Sequence, residues 1–306
     1  MAHIYPKIYF DKKIVPAVDA NLSVTSSAVL YGLSVYTVFP ICVSSSGELF
    51  AFRLPEHFKR LLNSARIIGM DDFEKNWDYQ KFEAVVKELA EKNDIKEDVF
   101  VRATVHVDES VPGTRSRGLK NTLSIFIYEA SPIMPQDGAR LKTSIWRRIP
   151  DNSIPSRAKV NGAYVNSVLA KQDAIDSGYD DCIFLDSQGH VCELSAANIF
   201  LVRDNVLITP DTTSDLLEGI NRRSIIELAI KHGIEVQERV VDLTELYIAD
   251  EVFACGTSAY VAPIVEVDAR SIAHGKIGSI TTKLKKLHYE ILHGDSKEYS
   301  DWLTTI

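Results

Sequence analysis

Lys159 stands in the run Pro155-Ser-Arg-Ala-Lys-Val-Asn-Gly-Ala-Tyr164, with small and apolar residues beside it. A lysine desolvated by such neighbours gives up its proton more readily, and the neutral amine can attack a carbonyl to form a Schiff base. Tyr164 follows at the start of the next predicted helix, where its hydroxyl could serve the same pocket. Glu193, in Val191-Cys-Glu-Leu-Ser-Ala-Ala-Asn, is a carboxylate inside a strand-like stretch, able to accept from a protonated ring nitrogen. Leu217-Glu-Gly-Ile220-Asn221-Arg-Arg is a glycine turn feeding a helix. Its free N–H groups and positive dipole end suit a phosphate. Cys255-Gly-Thr257-Ser258-Ala259 is a second glycine and hydroxyl turn, and Arg60, on the helix after Pro55, is a candidate phosphate partner. Each reads more simply alone, as a solvated lysine, an edge-strand charge, a bare helix start or a surface arginine. Together they supply an amine nucleophile, a ring-nitrogen partner, two anion-cradling turns and a phenol, the needs of a phosphorylated pyridine aldehyde.

The elements that must position these residues follow from spacing and punctuation. Strands are expected at 8–10 and 14–15, then a helix from Pro55 to Gly69 with Phe58, Leu61, Leu62, Ala65 and Ile68 on one face. A second amphipathic helix is expected at 79–92 on Phe82, Val85, Val86 and Leu89, and strands at 99–107 and 122–128. Between those strands runs a polar loop, 109–118, carrying Arg115 and Arg117. Ser131-Pro-Ile-Met-Pro-Gln-Asp-Gly is the expected linker, dividing a domain at 1–130 from one at 139–306. Beyond it the pattern predicts a strand at 141–149, a helix at about 161–177 ended by Gly178, and a meander of strands at 182–185, 191–193, 199–202 and 206–208. A helix at 220–232, a strand at 234–240, a short helix opened by Asp242…Glu245 in capping-box spacing and a strand at 251–254 complete an α/β (α+β) chain of two layers.

Composition excludes several classes. The 306 residues carry 42 acidic and 34 basic side chains for a net charge of −8, without basic blocks, which argues against nucleic acid. Hydrophobic residues at 45% and charged residues at 25% are ordinary for a globular protein. Four cysteines without a Cys-x-x-Cys pair and eight histidines without a His–Cys cluster give no reason to expect a disulfide framework or a metal. No apolar stretch reaches the ~18 residues of a membrane span, and no basic and apolar leader opens the sequence, so a cytoplasmic protein is expected.

Order and spacing of these motifs resemble the fold-type IV (class IV) pyridoxal-phosphate aminotransferases, most closely the branched-chain amino-acid aminotransferases. The resemblance runs from Trp146-Arg-Arg-Ile-Pro through the Lys159–Tyr164 run, Gly178-Tyr-Asp-Asp, Glu193-Leu-Ser-Ala-Ala-Asn-Ile-Phe and Gly219-Ile-Asn-Arg to Ala249-Asp-Glu-Val-Phe-Ala-Cys-Gly-Thr257. It implies Lys159 as the Schiff-base lysine and proton carrier, Glu193 as partner of the pyridine nitrogen, and Tyr164 as donor to the phenolic oxygen. Arg60, the turn at Ile220-Asn221 and Thr257 would form the phosphate cup, with Leu217 packed on the ring. Asn221 stands where threonine is common, but backbone N–H donation survives and an amide can still donate. The implied fold is a small N-terminal α/β domain and a larger C-terminal pseudo-barrel domain with the cofactor between them, in a homodimer. The implied reaction is ping-pong transfer from branched-chain L-amino acids to 2-oxoglutarate.

On the substrate side, Tyr31-Gly-Leu-Ser-Val-Tyr36 and Arg102 in Phe100-Val-Arg-Ala fit the branched-chain enzymes, with an arginine suited to a carboxylate. Thr257, Ser258 and Ala259 join them as expected substrate contacts, and Tyr128 as a candidate aromatic wall. Tyr36-Thr-Val38-Phe-Pro40, however, resembles the (R)-selective amine transaminases of the same fold, as does Phe100 where tyrosine is frequent. Val38 and Pro40 make the pocket less polar. An (R)-amine:pyruvate or D-amino-acid transaminase is therefore the alternative, an aminodeoxychorismate lyase a further one, and a non-catalytic scaffold the last. Arg115 and Arg117 offer either a trap for a second carboxylate or a solvated charge pair.

Overall fold

The structure, a computed structural model, describes residues 3–110 and 113–306. The chain forms two compact units, the first of residues 1–131, 158–162 and 290–306, the second of 132–157 and 163–289.

The first unit opens with the hairpin β1 (Lys7–Phe10) and β2 (Lys13–Pro16), followed by a single helical turn, α1 (Ser27–Leu30). β3 (Ser34–Val43) and β4 (Leu49–Phe52) lead into α2 (Leu54–Ile68), α3 (Asp71–Asn76) and α4 (Tyr79–Lys92). α2 has Pro55 in its first turn and ends on Gly69 at φ +78°, the left-handed terminator that glycine adopts without strain. α4 is capped by Asp78, which accepts from Lys81 N at 2.8 Å. β5 (Val99–Val107) and β6 (Asn121–Glu129) pair along their whole length. Their alternation puts Val99, Val101, Ala103 and Val105 on a face that also carries Phe39 of β3. Phe39 meets His57 and Phe82 there, so this is the face packed on α2 and α4. The opposite face carries Tyr36, Val38, Phe100, Arg102, Phe126 and Tyr128.

The second unit begins with β7 (Ala139–Thr143), α5 (Tyr164–Asp176) and the meander β8 (Asp181–Leu185), β9 (Val191–Leu194), β10 (Asn198–Arg203) and β11 (Val206–Thr209). Then come α6 (Ile220–Lys231), β12 (Val236–Glu238), α7 (Leu243–Tyr247), β13 (Glu251–Gly256), β14 (Tyr260–Val267), β15 (Arg270–Ser271) and α8 (Ser279–Leu292). Its sheet runs β12-β11-β10-β13-β14-β7-β8-β9, with β15 on β14. Nearly every residue of β8, β9, β10 and β13 is buried, which explains their mostly apolar composition. The last strand, β16 (Leu303–Thr305), closes the first unit's sheet, of order β16-β4-β3-β5-β6-β1-β2, by pairing with β4.

Three expectations need correction. The strand expected at 141–149 stops at Thr143, because Ser144 Oγ accepts from Trp146 N and turns the chain. The helix expected from 161 starts at Tyr164, since Asn161 N donates to Ser34 O and Val160 bridges Val35, which fastens this non-helical run to β3. The sequence placed all of 139–306 in one domain. In the fold 158–162 and 290–306 pack with the N-terminal unit, through these β3 bonds and the β16–β4 pairing.

Candidate active site

Lys159 is positioned by its main chain. Its N–H donates to Ser64 Oγ at 3.1 Å, and its carbonyl accepts from Tyr36 N at 3.0 Å. Ser64 Oγ in turn donates to Arg60 O at 2.8 Å, so α2 and β3 grip the lysine from two sides. Two residues on, Asn161 Nδ2 donates to Ser34 Oγ at 2.5 Å. Gly32, at φ +63°, lets the run approach: a Cβ there would stand 2.9 Å from Gly162 Cα. The half-buried Lys159 Nζ lies 4.9 Å from the centre of the Tyr36 ring.

The other predicted residues of this unit divide into two groups. Arg60 reaches back from α2, its Nη2 donating to Thr37 Oγ1 at 3.1 Å, and Thr37 Oγ1 also meets His57 Nδ1 at 2.8 Å. Arg102 stacks on Tyr36 at 3.7 Å and donates to Asn161 Oδ1 at 2.6 Å, which ties the β5 guanidinium to the Lys159 run. Val38 lies opposite Arg102 in the β3–β5 register, and Phe100 lies opposite both Pro40 and Tyr128. His106 shares the face, meeting Ser124 Oγ at 2.8 Å. Burial, and after it the charge of Arg102, push its pKa down to about 4. At neutral pH Arg102 is therefore the charged group on this stretch of Tyr36–Pro40, Phe100–His106 and Ser124–Tyr128. Tyr31 is exposed at the end of α1, its hydroxyl accepting from Gly113 N at 3.2 Å. Arg115 and Arg117 are exposed or nearly so, and their loop runs back past Gly69 and Asp71, with Gly118 N donating to Asp71 Oδ1 at 3.1 Å; residues 111–112 of that loop lie outside the described residues.

In the second unit Glu193 is the hub. Its buried carboxylate pairs with Arg148 at 2.8 Å through Oε1, while Oε2 accepts from Asn198 Nδ2 at 3.1 Å and Leu217 N at 3.2 Å. Asn198 Nδ2 also donates to Leu217 O at 3.0 Å, so the carboxylate and the 217–221 turn are fastened to one amide. A carboxylate fixed in this way is the type of acceptor that a protonated pyridine nitrogen needs. Gly219 caps α6, and a Cβ there would run into Asn198 Oδ1, so a larger residue would have to push the Asn198 side chain away. The first N–H groups of α6, at Ile220 and Asn221, have no acceptor within the helix, and no acidic residue occupies its first turn. An anion is favoured there. Asn221 is buried with Oδ1 3.3 Å from His288 Nε2; taking the ring's N–H on the oxygen leaves its amide nitrogen as a donor. Thr257 and Ser258 form the turn between β13 and β14 at the end where Asn198 faces Cys255, and the preceding Gly256 lies against Ala196 and Ala197. Ala259 is buried, its carbonyl accepting from Gln136 at 3.1 Å. Tyr164 is the half-buried first residue of α5.

Ser64, Asn161, Arg148 and Asn198 were missed by sequence reasoning. Arg148 sits 45 positions before Glu193, and nothing in the local pattern links them. Within the second unit, a fixed carboxylate acceptor and an acid-free helix start with a hydroxyl turn are groups of the kind that a phosphorylated pyridine aldehyde needs for its ring nitrogen and its phosphate, and Lys159 of the first unit is the amine of the kind that its aldehyde needs.

Comparison with known proteins bears on this fit. The sequence pattern of the family described as Amino-transferase class IV matches residues 35–267. The chain is 38% identical over 301 residues to a probable branched-chain-amino-acid aminotransferase of Aquifex aeolicus, covering 97% of this chain and 96% of that one. It is 35% identical to the branched-chain-amino-acid aminotransferase of Pseudomonas aeruginosa, over 98% and 97% of the two chains. Among solved structures it is similar to the Thermoproteus uzoniensis branched-chain aminotransferase with norvaline, at a TM-score of 0.94, 34% identity and 98% and 99% coverage. It is also similar to the T.th. branched-chain amino acid aminotransferase complexed with N-(5'-phosphopyridoxyl)-L-glutamate, at 0.91, 34% and 98% of each chain.

Proposed function

Because the chain belongs to the class IV amino-transferases, we propose that it is a pyridoxal-phosphate transaminase that moves the amino group of branched-chain L-amino acids (leucine, isoleucine, valine) to 2-oxoglutarate. The observation that carries the substrate class is the sheet face of Tyr36, Val38, Phe100, Phe126 and Tyr128, apolar around the single guanidinium of Arg102. An aliphatic side chain favours such a surface, and the arginine suits the one carboxylate that an amino acid brings.

Arg60, the N–H groups of Ile220 and Asn221, and Thr257 would hold the phosphate. Leu217 would pack on the ring, Tyr164 would donate to its phenolic oxygen, and Glu193 would accept from its nitrogen. When bound, pyridoxal phosphate supplies an aldehyde that condenses with amines and a pyridinium that takes up the electron pair left by a broken C–H bond. Lys159 Nζ holds the cofactor between turnovers, yields its place to the substrate amine, removes the proton from the substrate Cα and redelivers it. Arg148 pairs with Glu193 and holds its carboxylate where it would accept from a protonated ring nitrogen. Arg102, with Tyr31, Tyr36, Ser258 and Ala259, orients the substrate. The keto-acid product leaves before the second keto acid enters, which makes the reaction ping-pong.

A second reading, the (R)-amine or D-amino-acid transaminase, is favoured by Val38 beside Arg102 and by Pro40, which add apolar bulk where a carboxylate would sit. Visible absorption of the cofactor-loaded protein separates the two. Faster bleaching by L-leucine than by (R)-1-phenylethylamine is expected; faster bleaching by the amine hands the lead to the second reading. An absorption band that never forms with added pyridoxal phosphate sinks both. The reading includes a homodimer acting in the cytoplasm, and a sedimentation mass of about twice 34.2 kDa is expected. A monomer that is fully active would overturn that part.

A further inference from the structure

Three side chains from distant parts of the first unit meet at the far end of its sheet. Cys42 is the next-to-last residue of β3, Asp98 directly precedes β5, and His293 directly follows α8. One ligating atom from each lies within 4.8 Å of the other two. His293 Nε2 stands 2.9 Å from Asp98 Oδ2, and Asp98 Oδ1 accepts from Val43 N at 2.9 Å, which fixes the carboxylate. The Cys42 thiol is buried, whereas Asp98 and His293 are half-buried, so an ion would enter from their side. Cys42 lies six residue steps of extended chain from Tyr36, roughly 20 Å along β3, which sets the cluster apart from the candidate active site.

We propose that Cys42, Asp98 and His293 bind a divalent transition-metal ion, with zinc the ion that suits them best. A thiolate, an imidazole and a carboxylate are its preferred ligand types, and three protein ligands plus water complete a tetrahedron. Zinc–ligand bonds of about 2.0–2.3 Å put ligand atoms roughly 3–4 Å apart, so atoms up to 4.8 Å apart would close by about 1–2 Å while His293 Nε2 and Asp98 Oδ2, 2.9 Å apart, exchange their hydrogen bond for the ion. Coordination releases the Cys42 thiol proton to solvent. The bound ion ties the paired ends of β3 and β5 to the segment that carries β16, about 200 positions further along the chain. Its role is that of a staple, and its readouts do not depend on transamination.

The test uses cofactor-loaded protein freed of metal by a chelator. Zinc titrated against a chromophoric chelator is expected to bind at one equivalent per chain and to raise the melting temperature by several degrees at a hundredfold excess over Kd. Cobalt(II) is expected to give a thiolate-to-metal charge-transfer band. Cys42→Ser and His293→Gln should each weaken zinc by about 100-fold or more, since even outer-shell partners cost 10–100-fold, and Cys42→Ser should abolish the cobalt band. No stoichiometric binding and no thiolate band in the unmodified protein would overturn the proposal without any variant. So would zinc affinity unchanged in both variants.

Discussion

Lys159 owes its place to bonds its side chain does not make. Ser64 and Tyr36 hold its peptide groups, so replacing the side chain leaves the run 158–162 intact. Lys159→Ala should therefore still take up pyridoxal phosphate through the phosphate residues, yet lose turnover by about 10³-fold or more. Steady-state rates with the variant's absorption spectrum check this, and near-normal activity would remove Lys159 from the mechanism. Glu193 is a different case, because its carboxylate serves both the proposed ring nitrogen and the fold. Glu193→Gln keeps the shape but removes the charge, and should cut kcat by roughly 10²–10³-fold with little change in cofactor affinity. If uptake alone suffers, Glu193 is structural. Removing Arg148 instead leaves a buried carboxylate without its cation, a loss on the order of 3–5 kcal/mol.

Among the elements, the close approach of Gly32 to Gly162 sets how the Lys159 run lies on β3. Gly32→Ala adds left-handed strain of about 1–2 kcal/mol and a Cβ that pushes on Gly162. Thermal melts should show that loss, and kcat should fall more than the stability change explains, because a shift of about 1 Å at reacting groups can cost 10²-fold. An unchanged kcat would show that the run is held from elsewhere. At α7, the spacing of Asp242 and Glu245 is used as expected: Asp242 N donates to Glu245 Oε1 at 3.2 Å. The same carboxylate takes a two-pronged contact from Arg239, at 2.9 and 2.6 Å, and a third from Arg203 at 3.3 Å. The Arg239 bonds, outweighing burial, hold its pKa at about 2 against an ordinary 4.5. Because the folded value is the lower one, its contribution is present above about pH 4.5 and disappears as pH falls through 2. Glu245→Gln should accordingly lower the melting temperature at pH 7, with the gap closing as pH drops from about 4.5 towards 2. A gap that persists at low pH would mean that packing, not charge, is lost.

Over the whole molecule, the sequence by itself determined what composition, periodicity and motif order can carry. The helices at Leu54–Ile68 and Tyr79–Lys92, the strands of β5 and β6 and the buried meander were legible because apolar spacing and glycine or proline punctuation are local signals. The lysine, the carboxylate and the two turns stood out as candidates in the sequence because their order along the chain is that of a family. Tertiary structure alone decided the partnerships. Arg148 beside Glu193, Ser64 under Lys159 and Asn161 on Arg102 join residues separated by 45, 95 and 59 positions, and no local pattern encodes such pairs. The eight histidines and four cysteines gave no metal spacing in sequence, yet folding gathers Cys42, Asp98 and His293. It also returns 158–162 and 290–306 to the N-terminal unit. The physical reason is the same in each case. Hydrophobic patterning specifies which face of an element is buried, whereas hydrogen bonds and ion pairs between elements depend on sheet order and register, which only the packed fold specifies.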